Sequence, residues 1–344
     1  MSKIIKIFLT QGFTPVDHRV FKLGTTIGFD CYIQRFNGFF IVLESGTFVD
    51  EKVYRLLTQK NLQLFVQTKK YQAYKMYVDR NAPLNHDADM AHESEHGLSD
   101  AIAYCNDIRT VLKNQSTMHD RLQVIYTYSQ YLIQSWLEQE IHVVLPMEAL
   151  SKIVEEFVPI ANNERLTLSK FNDFLDNKDD LSAHLVNVMF FAAIIGSRIG
   201  LDFTDQEKLL TSALLHDIGK SELDEALLKK SDFLSEREYH HMQRHADASA
   251  SIVQKSGLKD RVIVHAIKEH HERLDGSGYP KGLHDEYITQ FGKIIAVCDV
   301  FDALITIKPY RGAYSTYNAL QLMRSAEKER LDMKYINVLI KCLH

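Results

Sequence analysis

The sequence predicts a multidomain chain, with a small α+β domain at the N-terminus followed by an all-α helical bundle. Three observations predict it. Short alternating apolar runs and a tight-turn dipeptide occupy the first 84 residues, the pattern of half-buried strands. From about residue 168 apolar side chains recur at helical spacing instead. Between the two lies 85–100, centred on NHDADMAHESEHGLSD, with almost no large apolar residues. The expected boundaries are 1–84 for the α+β regulatory or sensory domain, 85–100 for a linker, 101–167 for a helical connector and 168–344 for the bundle.

In the first domain, FDCYIQR (29–35) alternates as a strand does, Asn37-Gly38 supplies a hairpin turn, and FFIVL (39–43) returns as a second strand. Asp50 caps an expected helix through about Gln59, with Val53, Leu56 and Leu57 on one face. LQLFVQ (62–67) is the third strand. His86, His92 and His96 stand among acids in the linker and read as part of a solvated loop. The connector pattern is helical, including a run from Arg121 to Gln139 that could pack between domains or pair in a homodimer.

The bundle begins with a helix from about Asp179 to Ile199, on which His184, Val188, Phe191 and Ile195 share a face. A second helix opens on Thr204 and Glu207 as a capping box, runs through Leu210 and Leu214 to His216-Asp217, and ends at Gly219. A third opens on the capping box Ser235/Glu238 and stops near Gly257. A fourth runs from about Asp260 to His271. DGSGYPKG (275–282) breaks regularity with three glycines and a proline. A last core helix covers about Phe291 to Ile305.

Composition excludes several classes. Hydrophobic content of 45% and charged content of 25% describe a folded globular chain. A net charge of −5 argues against a general DNA or other polyanion binder. The four cysteines, Cys31, Cys105, Cys298 and Cys342, form no CxxC pair, which fits a reducing, cytoplasmic setting. The apolar run Leu185–Gly196 is too short to span a bilayer. Histidine is the unusual count at 16, and ten of them lie at or after residue 184.

Those histidines and their acidic neighbours fall on core-facing sides of separate helices. His184 sits on an apolar face. His216-Asp217 end one helix and His270-His271 end another. His241 and His245 are four apart. Asp299 and Asp302 are three apart and follow Ile295. Such groups are costly to bury unless they are paired or hold a metal. Each alone reads as an ordinary core or surface residue; their ordered co-occurrence does not. Imidazoles and carboxylates without thiolate suit iron, manganese, zinc or nickel. Seven candidate ligands exceed one four-coordinate ion and suit two ions bridged by one carboxylate. Such a pair activates water and clamps both oxygens of an in-line phosphoryl displacement.

The segments ALLHDIGK (213–220), His245, HHERLDGSGYP (270–280) and AVCDVFDAL (296–304) together resemble the HD-GYP family. This is the branch of the HD phosphohydrolase superfamily that hydrolyses the bacterial second messenger cyclic di-GMP. The resemblance covers about 175–325. It implies an HD-type bundle and a metal-dependent phosphodiesterase in which a hydroxide bridging two ions attacks phosphorus. The products would be pGpG and, after a second round, GMP. It implies two divalent ions, iron or manganese first, with zinc, nickel or magnesium as alternatives. His184, His216, Asp217 and Asp299 resemble the superfamily ligands, and His245, His270 and His271 those of the second position. Asp217 would bridge, and Lys220 would hold a non-bridging phosphate oxygen. Gly278-Tyr279-Pro280 match the signature loop near substrate.

Two departures stand out. Asp180 replaces a glutamate that holds a third ion in some members. Lys308-Pro309-Tyr310-Arg311 carries lysine where arginine is usual, so the substrate contacts expected of Lys308 and Arg311 lose one fork-shaped donor. Rival readings are a low-turnover nucleotide-binding receptor of the same fold, and a phosphodiesterase for another cyclic dinucleotide.

Overall fold

The computed structural model describes residues 6–7, 13–16, 20–21, 24–35, 38–49, 53, 64–67, 70, 73–74, 76–78 and 98–344. Within the last range 100, 104, 116, 140–143, 164–165, 172–179, 229, 231–233, 307–311 and 344 are left out. The chain divides into two compact units. The first comprises 1–91 and 114–120, the second 92–113 and 121–344.

The first unit carries a five-stranded antiparallel sheet in the order β1-β4-β3-β5-β2. Its strands are β1 (Lys6–Ile7), β2 (Phe13–Val16), β3 (Cys31–Arg35), β4 (Gly38–Leu43) and β5 (Leu64–Gln67). The three expected strands are present. Arg35 pairs with Gly38, so two residues connect β3 to β4. The sequence pattern misses both outer strands. β1 has two residues, too few to show alternation. β2 contains Pro15, which demotes a run as a strand signal and is tolerated at a sheet edge, where β2 lies. Phe21, Ile27, Phe29, Cys31, Leu64 and Val66 form the core of this unit. All of the expected helix at 50–59 except Val53, and nearly all of the expected linker, including His86, His92 and His96, fall outside the described residues.

The second unit is helical. Its first helices are α1 (Ile108–Lys113), α2 (Met118–Leu137, whose first three residues group with the first unit) and α3 (Met147–Asn163). Next come α4 (Leu181–Ile199) and α5 (Phe203–Leu215), then α6 (Glu236–Gln243) and α7 (His245–Lys255). α8 (Arg261–Glu269), α9 (Gln290–Ile305), α10 (Thr316–Ala326) and α11 (Met333–Lys341) complete it. α4 is the axis of the core, buried almost throughout. Phe190 on α4 meets Tyr126 of α2, Phe157 of α3 and Phe171 at centroid distances of 5.5, 4.6 and 5.1 Å. The connector helices therefore share the core of the bundle. Truncating a ring packed on three sides in this way costs about 3–5 kcal/mol.

α4 is the one described helix long and apolar enough to cross a membrane, at 19 residues, longer than the apolar run alone suggests. Most of its apolar window is buried inside the protein, and it carries the buried polar Asn187.

Three local expectations are corrected. α5 is capped by Asp202, which accepts from the Asp205 backbone N–H, rather than by Thr204. It ends at Leu215, and Gly219 lies in a following 3-10 turn, Ile218–Glu222. The helix expected from Ser235 to Gly257 is two helices broken at Arg244. The Ser235/Glu238 capping box is present as read.

Candidate metal centre

Five pieces of backbone converge on one carboxylate. Asp217 is fully buried just beyond the end of α5. On its Oδ2 side His184 Nε2 lies at 3.4 Å and His216 Nε2 at 3.6 Å. On its Oδ1 side His245 Nε2 lies at 2.9 Å and His270 Nε2 at 3.3 Å. Asp299 from α9 stands 3.4 Å from His184 Nε2 and 3.7 Å from His271 Nδ1. The ligand atoms fall into two tight groups, His184/His216/Asp217/Asp299 and Asp217/His245/His270/His271. Asp217 belongs to both. All seven expected ligand positions are thus in one place.

Hydrogen bonding fixes which ring nitrogens face the centre. His216 Nδ1 donates to the Ala213 carbonyl at 2.8 Å, His245 Nδ1 to Met242 at 2.6 Å and His270 Nδ1 to Ile267 at 2.5 Å. Each carbonyl lies three residues upstream of its imidazole. A carbonyl accepts only, so each Nδ1 carries a proton and each Nε2 is left as the atom that can present a lone pair to the centre. His184 is held likewise, its Nδ1 donating to Asp302 Oδ2 at 2.7 Å. Three lone pairs therefore face an acceptor-only carboxylate, and His184 Nε2 is turned to the same carboxylate. Asp217 Oδ1 is buried with no hydrogen-bond partner even though His245 stands 2.9 Å away. Lone pairs placed against one another at this range are what a cation would bind, so the residues fit a pair of divalent ions.

Electrostatics agree. Burial pushes the His216 imidazole down to about 3 and His271 well below its usual value, which keeps both neutral. Burial opposes ionisation of Asp217, yet Lys220 and the surrounding imidazoles hold its carboxyl well below the usual range. Asp299 is likewise lowered against burial, chiefly by His184. Burial would lower His184 too, but its bonds to Asp217 and Asp302 raise it to about 10.

Lys220 Nζ donates to Asp217 Oδ2 from the 3-10 turn. That turn approaches α7 closely. Gly219 N–H donates to Ser249 Oγ at 2.8 Å, and a Cβ on Gly219 would stand 2.3 Å from Ser249 N. Only glycine lets the two segments bearing Asp217 and His245 meet.

The signature loop is equally determined. A Cβ on Gly278 would come within 2.4 Å of the Glu272 Cα and the Arg273 nitrogen. Tyr279 lies over His271 at 4.6 Å between centroids, with 33° between planes. Burial raises its phenol pKa, so it stays protonated. Pro280 is exposed.

Other expected residues lie elsewhere. Asp180 caps α4, accepting from Ala183 N at 2.9 Å and from Ser182 Oγ. Its carboxylate is thereby engaged at the helix terminus. Lys308 and Arg311 fall outside the described residues. His241 is exposed on α6 and does not share a helix with His245. Two residues the motif reading passed over support the centre. Asp302 orients His184 as described. Glu272 accepts from the backbone N–H groups of Lys281 at 2.7 Å and Leu283 at 2.9 Å, clasping the loop. The sequence signal for Asp302 was its spacing of three from Asp299; Glu272 had none beyond its adjacency to His271.

Residues 169–335 match the family model for the HD domain. The chain carries an HD-GYP domain. The 3′3′-cGAMP-specific phosphodiesterase 1 of Vibrio cholerae is 38% identical over 148 residues, 43% of this chain and 34% of that protein. The cyclic di-GMP phosphodiesterase response regulator RpfG of Xanthomonas campestris pv. campestris is 33% identical over 186 residues, 53% of this chain and 49% of that protein. The chain thus spans half or less of the length of these curated relatives. Among solved structures, Bd1817, an HDG"Y"P protein from Bdellovibrio bacteriovorus, superposes with a TM-score of 0.58 over 96% of this chain and 99% of that one. At 18% identity this shows a shared fold. The HD-GYP domain is the segment that holds both ligand groups.

Proposed function

We propose that the HD-GYP domain is a metal-dependent phosphodiesterase that opens cyclic di-GMP to linear pGpG and then to GMP. The observation that carries this reading is Asp217, shared between two groups of ligands and surrounded by imidazole lone pairs. His184, His216, Asp217 and Asp299 would hold one divalent ion, and Asp217, His245, His270 and His271 the other. Iron or manganese suits this oxygen and nitrogen set. When bound, such a pair supplies Lewis acidity and a lowered water pKa.

The chain's own residues would do the rest. Lys220, beside Asp217, carries a positive charge to the place where negative charge develops on a non-bridging phosphate oxygen. Tyr279, protonated and stacked on His271, offers a ring edge and a hydroxyl to the dinucleotide. Glu272 holds that loop in position, which preserves the approach geometry that orientation effects require. The three carbonyl-anchored imidazoles keep their tautomers and need no reorganisation.

A second reading changes only the substrate, to 3′3′-cGAMP, and is favoured by the likeness to the Vibrio cholerae protein that acts on it. Four cysteines with no CxxC pair suit a reducing, cytoplasmic location.

Metal analysis after anaerobic purification, with turnover of both dinucleotides measured side by side, tests the reading. About two ions per chain are expected, with turnover that chelation abolishes and manganese restores. Asp217→Ala should bind fewer than one ion and lose turnover. A folded wild-type chain that takes up no metal would overturn the ligand assignment. Bound metal without turnover of either nucleotide would overturn the enzymatic one.

A further inference from the structure

One buried hydrogen-bond chain leads from the metal ligands out of the HD domain. His184 Nδ1 donates to Asp302 Oδ2 at 2.7 Å. Asp302 Oδ1 accepts from Asn187 Nδ2 at 2.9 Å. Asn187 Oδ1 accepts from the Tyr126 hydroxyl at 2.9 Å. Tyr126, Asn187 and Asp302 are 4%, 1% and 1% exposed, so water does not compete for these bonds. Tyr126 is on α2, well before residue 169, where the match to the HD domain begins.

Each link has one sense. The carboxylate of Asp302 only accepts, so the Asn187 amide nitrogen must face it. The amide oxygen then faces Tyr126, whose hydroxyl must donate. At the other end Asp302 requires a proton on His184 Nδ1, which turns Nε2 toward Asp217 and Asp299 as the atom that would ligate an ion. Removing the Tyr126 hydroxyl takes a donor from the buried Asn187 amide oxygen and so loosens the placement of the amide that braces Asp302. The Tyr126 ring is itself fixed against Phe190 of α4, the helix that carries His184 and Asn187.

We propose that Tyr126 is a positioning residue for His184, so that the connector helix α2 sets how tightly the centre holds its metal. This rests on the metal reading above. Residues 118–120, the start of α2, group with the N-terminal unit, while Tyr126 groups with the bundle, so one continuous helix crosses the division. A shift of α2 would be felt at His184 through three hydrogen bonds.

The test is Mn(II) affinity of the full chain, by equilibrium dialysis and metal analysis, for Tyr126→Phe, Asp302→Ala and the double variant. Outer partners of ligating histidines typically change metal affinity about 10–100-fold. Asp302→Ala is expected within that range and Tyr126→Phe at its lower end, about tenfold. In the Asp302→Ala background Tyr126→Phe should change affinity no further, although it still lowers the melting temperature. Phe157→Leu, which loosens the same core without touching the chain of bonds, should lower the melting temperature and leave affinity unchanged. If Asp302→Ala is not recovered folded, Asn187→Ala replaces it as the background with the same expectation. Wild-type affinity in Tyr126→Phe, equal weakening in both backgrounds, or matching weakening in Phe157→Leu would each overturn the proposal. A wild-type chain that binds no Mn(II) would instead sink the metal reading, and this inference with it.

Discussion

Glu272 Oε1 accepts the backbone N–H of Lys281 at 2.7 Å, tying the residue after His271 to the residue after Pro280. The second oxygen of the same side chain takes the Leu283 N–H, so one buried carboxylate closes the whole signature loop. Glu272→Ala should destabilise the chain by about 2 kcal/mol, the range for a lost hydrogen bond to a charged group. Glu272→Gln keeps one acceptor oxygen and should recover part of the loss. Urea unfolding reads both. An unchanged midpoint for Glu272→Ala would show that the loop is held by something else.

Gly219 is expected to be intolerant for a reason unrelated to its backbone angles. A methyl group there would meet backbone atoms of α7, Ser249 N at 2.3 Å and His245 O at 2.4 Å, which cannot rotate away. Gly219→Ala should therefore cost about 3 kcal/mol, as for overpacking that displaces backbone. It should also weaken metal uptake, because α7 carries His245. Gly312→Ala, where nothing stands within 4 Å, is the matched control and should be close to neutral. Equal melting temperatures for the two variants would contradict the close approach.

Without metal, stability should peak near neutral pH. His216 has its pKa pushed down by burial to about 3, so below its unfolded value the unfolded chain takes up a proton that the native one refuses. Its contribution is present above about 6.5 and lost as pH falls toward 3. His271, also lowered by burial, acts in the same direction. His184 is opposite. Its pKa is raised to about 10 by the bonds to Asp217 and Asp302, which outweigh burial. Its contribution is present below about 6.5 and lost as pH rises through 10. Melting temperatures of chelated protein at pH 5, 6.5 and 8.5 should pass through a maximum at the middle value. A monotonic trend would show that one of the two histidines is wrongly placed.

Much of the site was legible in the residues. Helix spacing put His184 on an inward face, and the ends of two helices carried His216-Asp217 and His270-His271 to the same side. Local chemistry also showed the Ser235/Glu238 capping box, because a cap depends on residues three apart. Where local signals competed, the reading went astray. Thr204 and Asp202 are both competent caps, and in the fold it is Asp202 that accepts the free Asp205 N–H. The break at Arg244 has no glycine or proline to announce it. β2 hid behind Pro15.

The sequence by itself determined the two-part architecture, the helical character of the second part and the choice of seven candidate ligands, since periodicity and residue chemistry are local properties. Only the tertiary structure decided that Asp217 stands between both ligand groups, that Glu272 closes the loop, and that Tyr126 reaches His184 through Asn187 and Asp302. Those bonds join residues 61 and 115 positions apart. Their partners are selected by packing around α4, where a buried polar group must find whatever donor or acceptor the neighbouring helix presents.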